Sequence, residues 1–247
     1  KTKIKVDVQG KKTEQEVHKV QILDPATGTG TFLAEVVKHI HKKFEGQKGI
    51  GISNLEKYAR MFGLGEKTGF DLSGERQGNI PSVAWKAKQF PGDPWRIGDT
   101  YNTAIGQYGF QVTPIQMVRG IAAVASRGNL QTPTILKVDT PKPGIQLSIK
   151  DEAYTVVHEG MRKGVLEGIT KALDNDTIHV AAKSGTAQIK NNTRVNSWAE
   201  GFFPLEKPRF AFVVLMEDGP KVSSGAVHAF KPVLDVFIAH PEILKDK

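Results

Sequence analysis

The sequence predicts an α+β chain. Four helical stretches follow residue 50, and three strand candidates cluster between residues 177 and 218 with turn signals between them. Of the 247 residues, 39% are hydrophobic and 24% charged, which suits one large globular domain or two small ones.

Near the start, "IKVDV" (4–8) alternates apolar and polar residues, as a half-buried strand does. "VHKVQILD" (17–24) is a second strand candidate, followed by the glycine turn "ATGTGT". "FLAEVVKHIHKKF" (32–44) then places Phe32, Leu33, Val36, Val37, Ile40 and Phe44 on one helical face. "EGQKGIG" (45–51) holds three glycines in seven residues and reads as a linker. The domain boundary is therefore set there, giving segments 1–49 and 50–247.

Beyond it, "SNLEKYARMFGLG" (53–65) is a helix, with Ser53 or Asn54 as N-cap and Gly63 or Gly65 at its end. Residues 66–100, rich in Gly, Pro and Asp, predict a long ordered loop. "TPIQMVRGIAAVASRG" (113–128) and "DEAYTVVHEGMRKGVLEG" (151–168) are helices. The strand candidates are "TIHVAAKSG" (177–185), "SWAEGFF" (197–203) and "RFAFVVLMED" (209–218). "AVHAFKPVLDVFIAH" (226–240) closes the chain as a helix whose Pro232 is expected in the first turn or at a kink.

With no cysteine, the chain has no disulfide, zinc-thiolate site or thiol nucleophile. His158, His179 and His228 lack metal-ligand spacing, so no metal is expected. The net charge is +8, and residues 1–49 hold ten lysines against six acids. Scattered lysines without interleaved aromatics read as a solvated face rather than a nucleic-acid surface. No run approaches the ~20 apolar residues of a membrane span. "KTKIKVDVQG" lacks the apolar core of a signal peptide, so the chain is expected to be a soluble piece cut from something longer.

The stretch that carries chemistry is "AAKSGTAQI" (181–189), an apolar strand running into Lys183-Ser184-Gly185-Thr186. A lysine and two hydroxyls beside a glycine on a strand edge can hold a carboxylate. The plainer alternative is a lysine that blocks edge-to-edge aggregation. Four further blocks stand around it: "KYARMFGLGEKTGFDLSGERQGNIP" (57–81), "GDTYNTAIGQYGFQVTPIQM" (98–117), "SWAEGFFP" (197–204) and "PRFAFVVLMED" (208–218). In this order the five blocks resemble the second half of a class B, elongation-type penicillin-binding protein, from about Ile52 to the C-terminus.

The resemblance implies a mostly antiparallel sheet flanked by helices. It implies that Lys183 places charge near a substrate carboxylate and that Ser184 and Thr186 donate hydroxyl hydrogen bonds to it. Gly185 would let the substrate backbone lie along the strand, and the Thr186 N–H would supply half of an oxyanion hole. The ligands it implies are a peptidoglycan stem peptide or a β-lactam, with no cofactor. Full-length members of the family are membrane-anchored, with an extracytoplasmic catalytic domain. Two N-terminal strands join the sheet in that family, so strands near 3–9 and 17–23 are expected to extend the sheet beside 209–218.

Such acyl transfer needs a serine with a lysine one helical turn later. None of the nine serines has Lys three residues on. Ser73 comes nearest, with Arg76, but arginine stays protonated and is no base. No serine has Asn two residues later either. The expectation is a carboxylate-holding strand without its nucleophile, and hence no transpeptidase activity and no catalytic residue to name.

"QILDPATGTGTFLAEVVKHI" (21–40) resembles motif I of adenine-N6 DNA methyltransferases. That resemblance implies S-adenosylmethionine as a ligand of Asp24, Pro25, Gly28 and Gly30. The family's Pro-Pro catalytic tetrapeptide is absent, and the preferred reading is that this segment completes the core of the other half. A third reading is a non-enzymatic interaction module presenting Trp95, Tyr101 and Tyr108.

Overall fold

The computed structural model describes residues 2–8, 11–17, 51–137, 143–189, 193–220 and 224–244. Two strands open the chain, β1 (Thr2–Val8) and β2 (Lys11–Val17), paired antiparallel with Val8 opposite Lys11. That register leaves a two-residue connection, Gln9-Gly10, the loop length that joins adjacent antiparallel strands. The second strand thus comes earlier than the 17–24 expected from the apolar run, in the mostly polar "KKTEQEV". The expected extension of the C-terminal sheet is not found. Among the described residues β1 and β2 form their own sheet, and β6 is the only strand beside β7. The rest of the 17–24 candidate, the glycine turn and the 32–44 helix candidate lie outside the described residues.

Helix α1 (Ile52–Met61) starts from Gly51 rather than from Ser53 or Asn54, and no side chain caps it. Gly63 follows at φ +80°, a left-handed position that only glycine takes without strain. The stretch expected as a loop contains α2 (Val83–Gln89), and α3 (Ile97–Ala104) begins inside it. Ser82 Oγ accepts from the Trp85 N–H to start α2. Helix α4 (Pro114–Ala125) has a full capping box: Thr113 accepts from the Gln116 N–H, and the Gln116 side chain accepts from the Thr113 N–H. The same buried Gln116 donates through Nε2 to the carbonyls of Glu66 (2.7 Å) and Gln77 (2.8 Å). One side chain therefore fastens the preceding loop to the helix that packs on the sheet.

A short antiparallel pair, β3 (Asn129–Leu130) and β4 (Ile145–Gln146), leads to α5 (Asp151–Leu166). The main sheet is antiparallel in the order β5 (Ala181–Ile189), β6 (Arg194–Phe203), β7 (Phe210–Gly219). The chain ends in α6 (Gly225–Ala239) and a short 3-10 turn. Pro232 sits eight residues into α6, past the first turn, so the His228 carbonyl loses its usual amide partner.

Strand side chains alternate between faces, and this divides the core in two. On one face Ala182, Ala199, Phe203 and Phe212 pack on Val227, Phe230 and Leu234 of α6. On the other, Ala181 and Phe202 meet Ile121 and Ala125 of α4 and Met161 of α5. Helix α6 has no side-chain cap of its own; Ser197 Oγ on β6 accepts from the Ala226 N–H at 3.1 Å and pins its start to the sheet. Helix α5 approaches β5 closely at Gly164, where a methyl group would stand 2.8 Å from the Ala182 carbonyl.

Phe203 is 1% exposed and touches four rings, stacking on Phe210 at 5.4 Å and meeting Phe237 edge-on at 5.0 Å. Phe203→Ala is expected to cost about 3–5 kcal/mol of stability in a urea melt monitored by far-UV circular dichroism.

Candidate functional site

Among the described residues the strand order makes β5 an edge of its three-stranded sheet. Lys183, Ser184, Gly185 and Thr186 all lie on β5, opposite Glu200, Ala199, Trp198 and Ser197 of β6. Alternation stands Lys183 and Gly185 on the α4–α5 face, and Ser184 and Thr186 on the α6 face. The structure therefore brings the four residues into one tetrapeptide of an edge strand but divides their side chains between two faces. Ser184 is buried at 4% exposure. Thr186 Oγ1 is buried too and has no hydrogen-bond partner among the described residues. At Gly185 the strand surface is bare, and a methyl there would lie 3.3 Å from Trp198 Cβ.

Lys183 Nζ donates to the Ser184 carbonyl at 2.5 Å. Directly across the strand pair stands Glu200, a residue that the sequence alone did not single out. Opposed side chains in an antiparallel pair begin about 5 Å apart at Cβ, and the Lys183 charge acts on the Glu200 carboxyl without forming an ion pair with it. Burial pushes the Glu200 carboxyl up, the Lys183 ammonium pulls it back down, and the balance leaves it at about 7. Beneath it lies a cavity of about 520 Å³ lined by Tyr58 of α1, Thr103 of α3, and Met117 and Ile121 of α4. Among the described residues Glu200 is the only acidic group on that otherwise mostly apolar wall.

The other aromatic candidates turn toward one another. Tyr108 meets Trp95 edge-on at 5.8 Å and Trp85 at 5.6 Å, and Trp95 Nε1 donates to Thr100 Oγ1 at 2.9 Å. Under these rings Lys86, 1% exposed, binds Asp99 at 2.6 Å, Asp93 at 3.0 Å and the Pro94 carbonyl at 2.9 Å. Burial pulls the Lys86 ammonium down, but Asp99 and Asp93 outweigh it, and the group stays protonated. Trp95 and Tyr108 are thus parts of a ring cluster over a buried lysine held by Asp93 and Asp99. Asp24, Pro25, Gly28 and Gly30, the positions named for S-adenosylmethionine, lie outside the described residues.

An edge strand with a lysine-hydroxyl-glycine-hydroxyl sequence, packed between α6 and the α4–α5 pair, defines a class of protein. The penicillin binding protein transpeptidase domain family matches residues 40–235. The chain belongs to that family. It is 29% identical over 213 residues to the peptidoglycan D,D-transpeptidase MrdA of Acinetobacter baumannii, across 76% of this chain and 31% of that protein. The penicillin-binding protein PBP2 of Helicobacter pylori superposes with a TM-score of 0.69 at 32% identity, covering 77% of this chain and 36% of that one. The same fold recurs, with a TM-score of 0.66 and 31% identity, in a complex of PBP2 with MreC from Helicobacter pylori; it covers 76% of this chain and 36% of that one. The chain thus spans about a third of the length of the curated relatives it matches. Among the described residues no helix is long and apolar enough to cross a membrane.

The raised Glu200 carboxyl has a consequence for stability. The folded chain keeps this proton up to about pH 7, whereas an unhindered glutamate releases it near 4.5. Between those values the folded state binds more protons, so stability falls as pH rises through that window and stays low above it. Glu200→Gln is expected to flatten this fall and to raise stability at pH 8 by about 1–3 kcal/mol, read from urea melts across pH 5–8.

Proposed function

We propose that this chain carries the carboxylate-holding strand of a peptidoglycan D,D-transpeptidase-type site and no acyl-accepting serine within its 247 residues. One observation carries the reading: Lys183-Ser184-Gly185-Thr186 occupies an edge strand in a member of the penicillin-binding transpeptidase family. An extended peptide can add to such an edge through main-chain hydrogen bonds. Lys183 then attracts the terminal carboxylate and Gly185 leaves room for the backbone of the ligand, whereas the buried Ser184 and Thr186 hydroxyls lie on the opposite face of the strand and do not reach it. The ligand class is a peptide ending in a carboxylate, or a β-lactam that imitates one.

The chemical step is a separate matter. A serine becomes a nucleophile when a base within reach takes its proton. No serine here has a lysine three residues later, and Ser184, the serine nearest to Lys183 in sequence, is buried on the other face of its strand. In this reading the chain binds but does not acylate. The boundary near residues 45–51 and the role of Asp24, Pro25, Gly28 and Gly30 toward S-adenosylmethionine belong to the same set of proposals. Calorimetry that finds no heat with that ligand removes the last of them.

Intact-mass spectrometry after incubation with benzylpenicillin tests the reading. An unchanged mass is expected. A gain of one ligand mass overturns the non-acylating half of the proposal, and peptide mapping then names the serine.

A further inference from the structure

The cavity wall beside Lys183 carries a group that the reaction class does not call for. Glu200 lies opposite Lys183 in the β5–β6 register, on the face that packs toward α4 and α5. Its carboxylate has no hydrogen bond or ion pair to a described residue, unlike the carboxylates of Asp71, Asp99 and Asp151, which each accept at least one. Among the described residues few groups face Glu200. From β5 it meets Lys183, and across β7 it meets Val213. From α1 the cavity wall brings Tyr58, from α3 Thr103 and Ala104, and from α4 Met117, Gly120, Ile121 and Val124. Of these only Lys183 is charged at neutral pH, and Tyr58 is the one other titratable side chain.

An ionised carboxylate about one strand spacing from Lys183 acts on any ligand that the lysine attracts. It offsets part of the positive field, and it repels a second carboxylate brought to the same strand edge. Both effects vanish when Glu200 holds a proton. We propose that Glu200 gates the Lys183 strand by its protonation: the strand takes a carboxylate ligand while Glu200 is neutral and loses it as Glu200 ionises. This rests on the reading of β5 as a carboxylate site and adds a specificity-determining residue to it. The direction follows from charge alone, since an anion binds better to the protonated form and must raise the affinity of Glu200 for its proton in return.

The surroundings place the switch where it can operate. Burial raises the Glu200 carboxyl and Lys183 lowers it, leaving a midpoint at about 7. If only the protonated form binds, the dissociation constant rises about tenfold between pH 6 and pH 8. Binding within that window must also draw a proton from the buffer.

The test uses the whole chain with acetyl-D-alanyl-D-alanine as probe and its C-terminal amide as the uncharged control. Affinity is read from amide shifts of Gly185 and Thr186, and proton uptake by calorimetry in two buffers of different ionisation enthalpy. The acid is expected to bind about tenfold more weakly at pH 8 than at pH 6 with net proton uptake near neutrality, and Glu200→Gln should bind equally at both. Lys183→Ala should lose the preference for acid over amide at every pH. A slope that persists in Glu200→Gln, or a native chain without one, overturns the gate and leaves the carboxylate site standing. Absence of any acid-dependent shift at β5, or shifts equal for acid and amide, overturns the site itself and the gate with it.

Discussion

Everything around the site depends on strand alternation in the β5–β6 pair. Each residue of β5 faces either α6 or the α4–α5 pair, and a one-residue slip would exchange the two sets. The register is held by unequal cores. Phe203 and Phe212 need the aromatic pocket of α6, while Ala181 and Phe202 need the α4 and α5 surface. With those anchors in place, Lys183 stands on one face and Ser184 on the other. Glu200 is carried to the lysine side by the same periodicity, two residues from Phe202 on β6. The helix packing thus decides which charges meet at the strand edge.

The second half of the architecture is polar rather than apolar. Gln116 ties two loop carbonyls to α4, and Lys86 gathers Asp93, Asp99 and Pro94 under a group of rings. A buried ammonium without partners would be prohibitive, so the triad fixes where α2 and α3 sit relative to each other. Helix α3 in turn walls the cavity that Glu200 borders, through Thr103 and Ala104. The electrostatic environment of one carboxyl is therefore set by loops that are distant from it in sequence.

Much of this was legible in the residues. Helices at 113–128, 151–168 and 226–240 show the 3.6-residue period and appear with ends shifted by a few positions. The strands near 181, 197 and 209 show apolar runs between turns and also hold. Misreadings came where local signals were weak or contested. Ser53 and Asn54 suggested a cap, but the chain enters α1 two or three residues earlier, from Gly51. The Gly, Pro and Asp content of 66–100 hid α2, whose seven residues are held by Ser82 and the Lys86 triad rather than by a long apolar period. The N-terminal strands pair with each other because only two residues separate them in the sequence.

The sequence by itself determined the α+β class, the order of the helices and strands that build the sheet, the family, and the Lys183–Thr186 tetrapeptide, because periodicity and ordered motifs are properties of neighbouring residues. It also determined which side chains are present to do chemistry, since no fold adds a lysine three residues after a serine. Only the tertiary structure decided that β1 and β2 stay in their own sheet, that Ser184 is buried away from the lysine face, and that Glu200 stands beside Lys183. Those three depend on pairing register and burial, which join residues far apart in the chain, and a carboxyl held near neutrality exists only once the fold removes it from water.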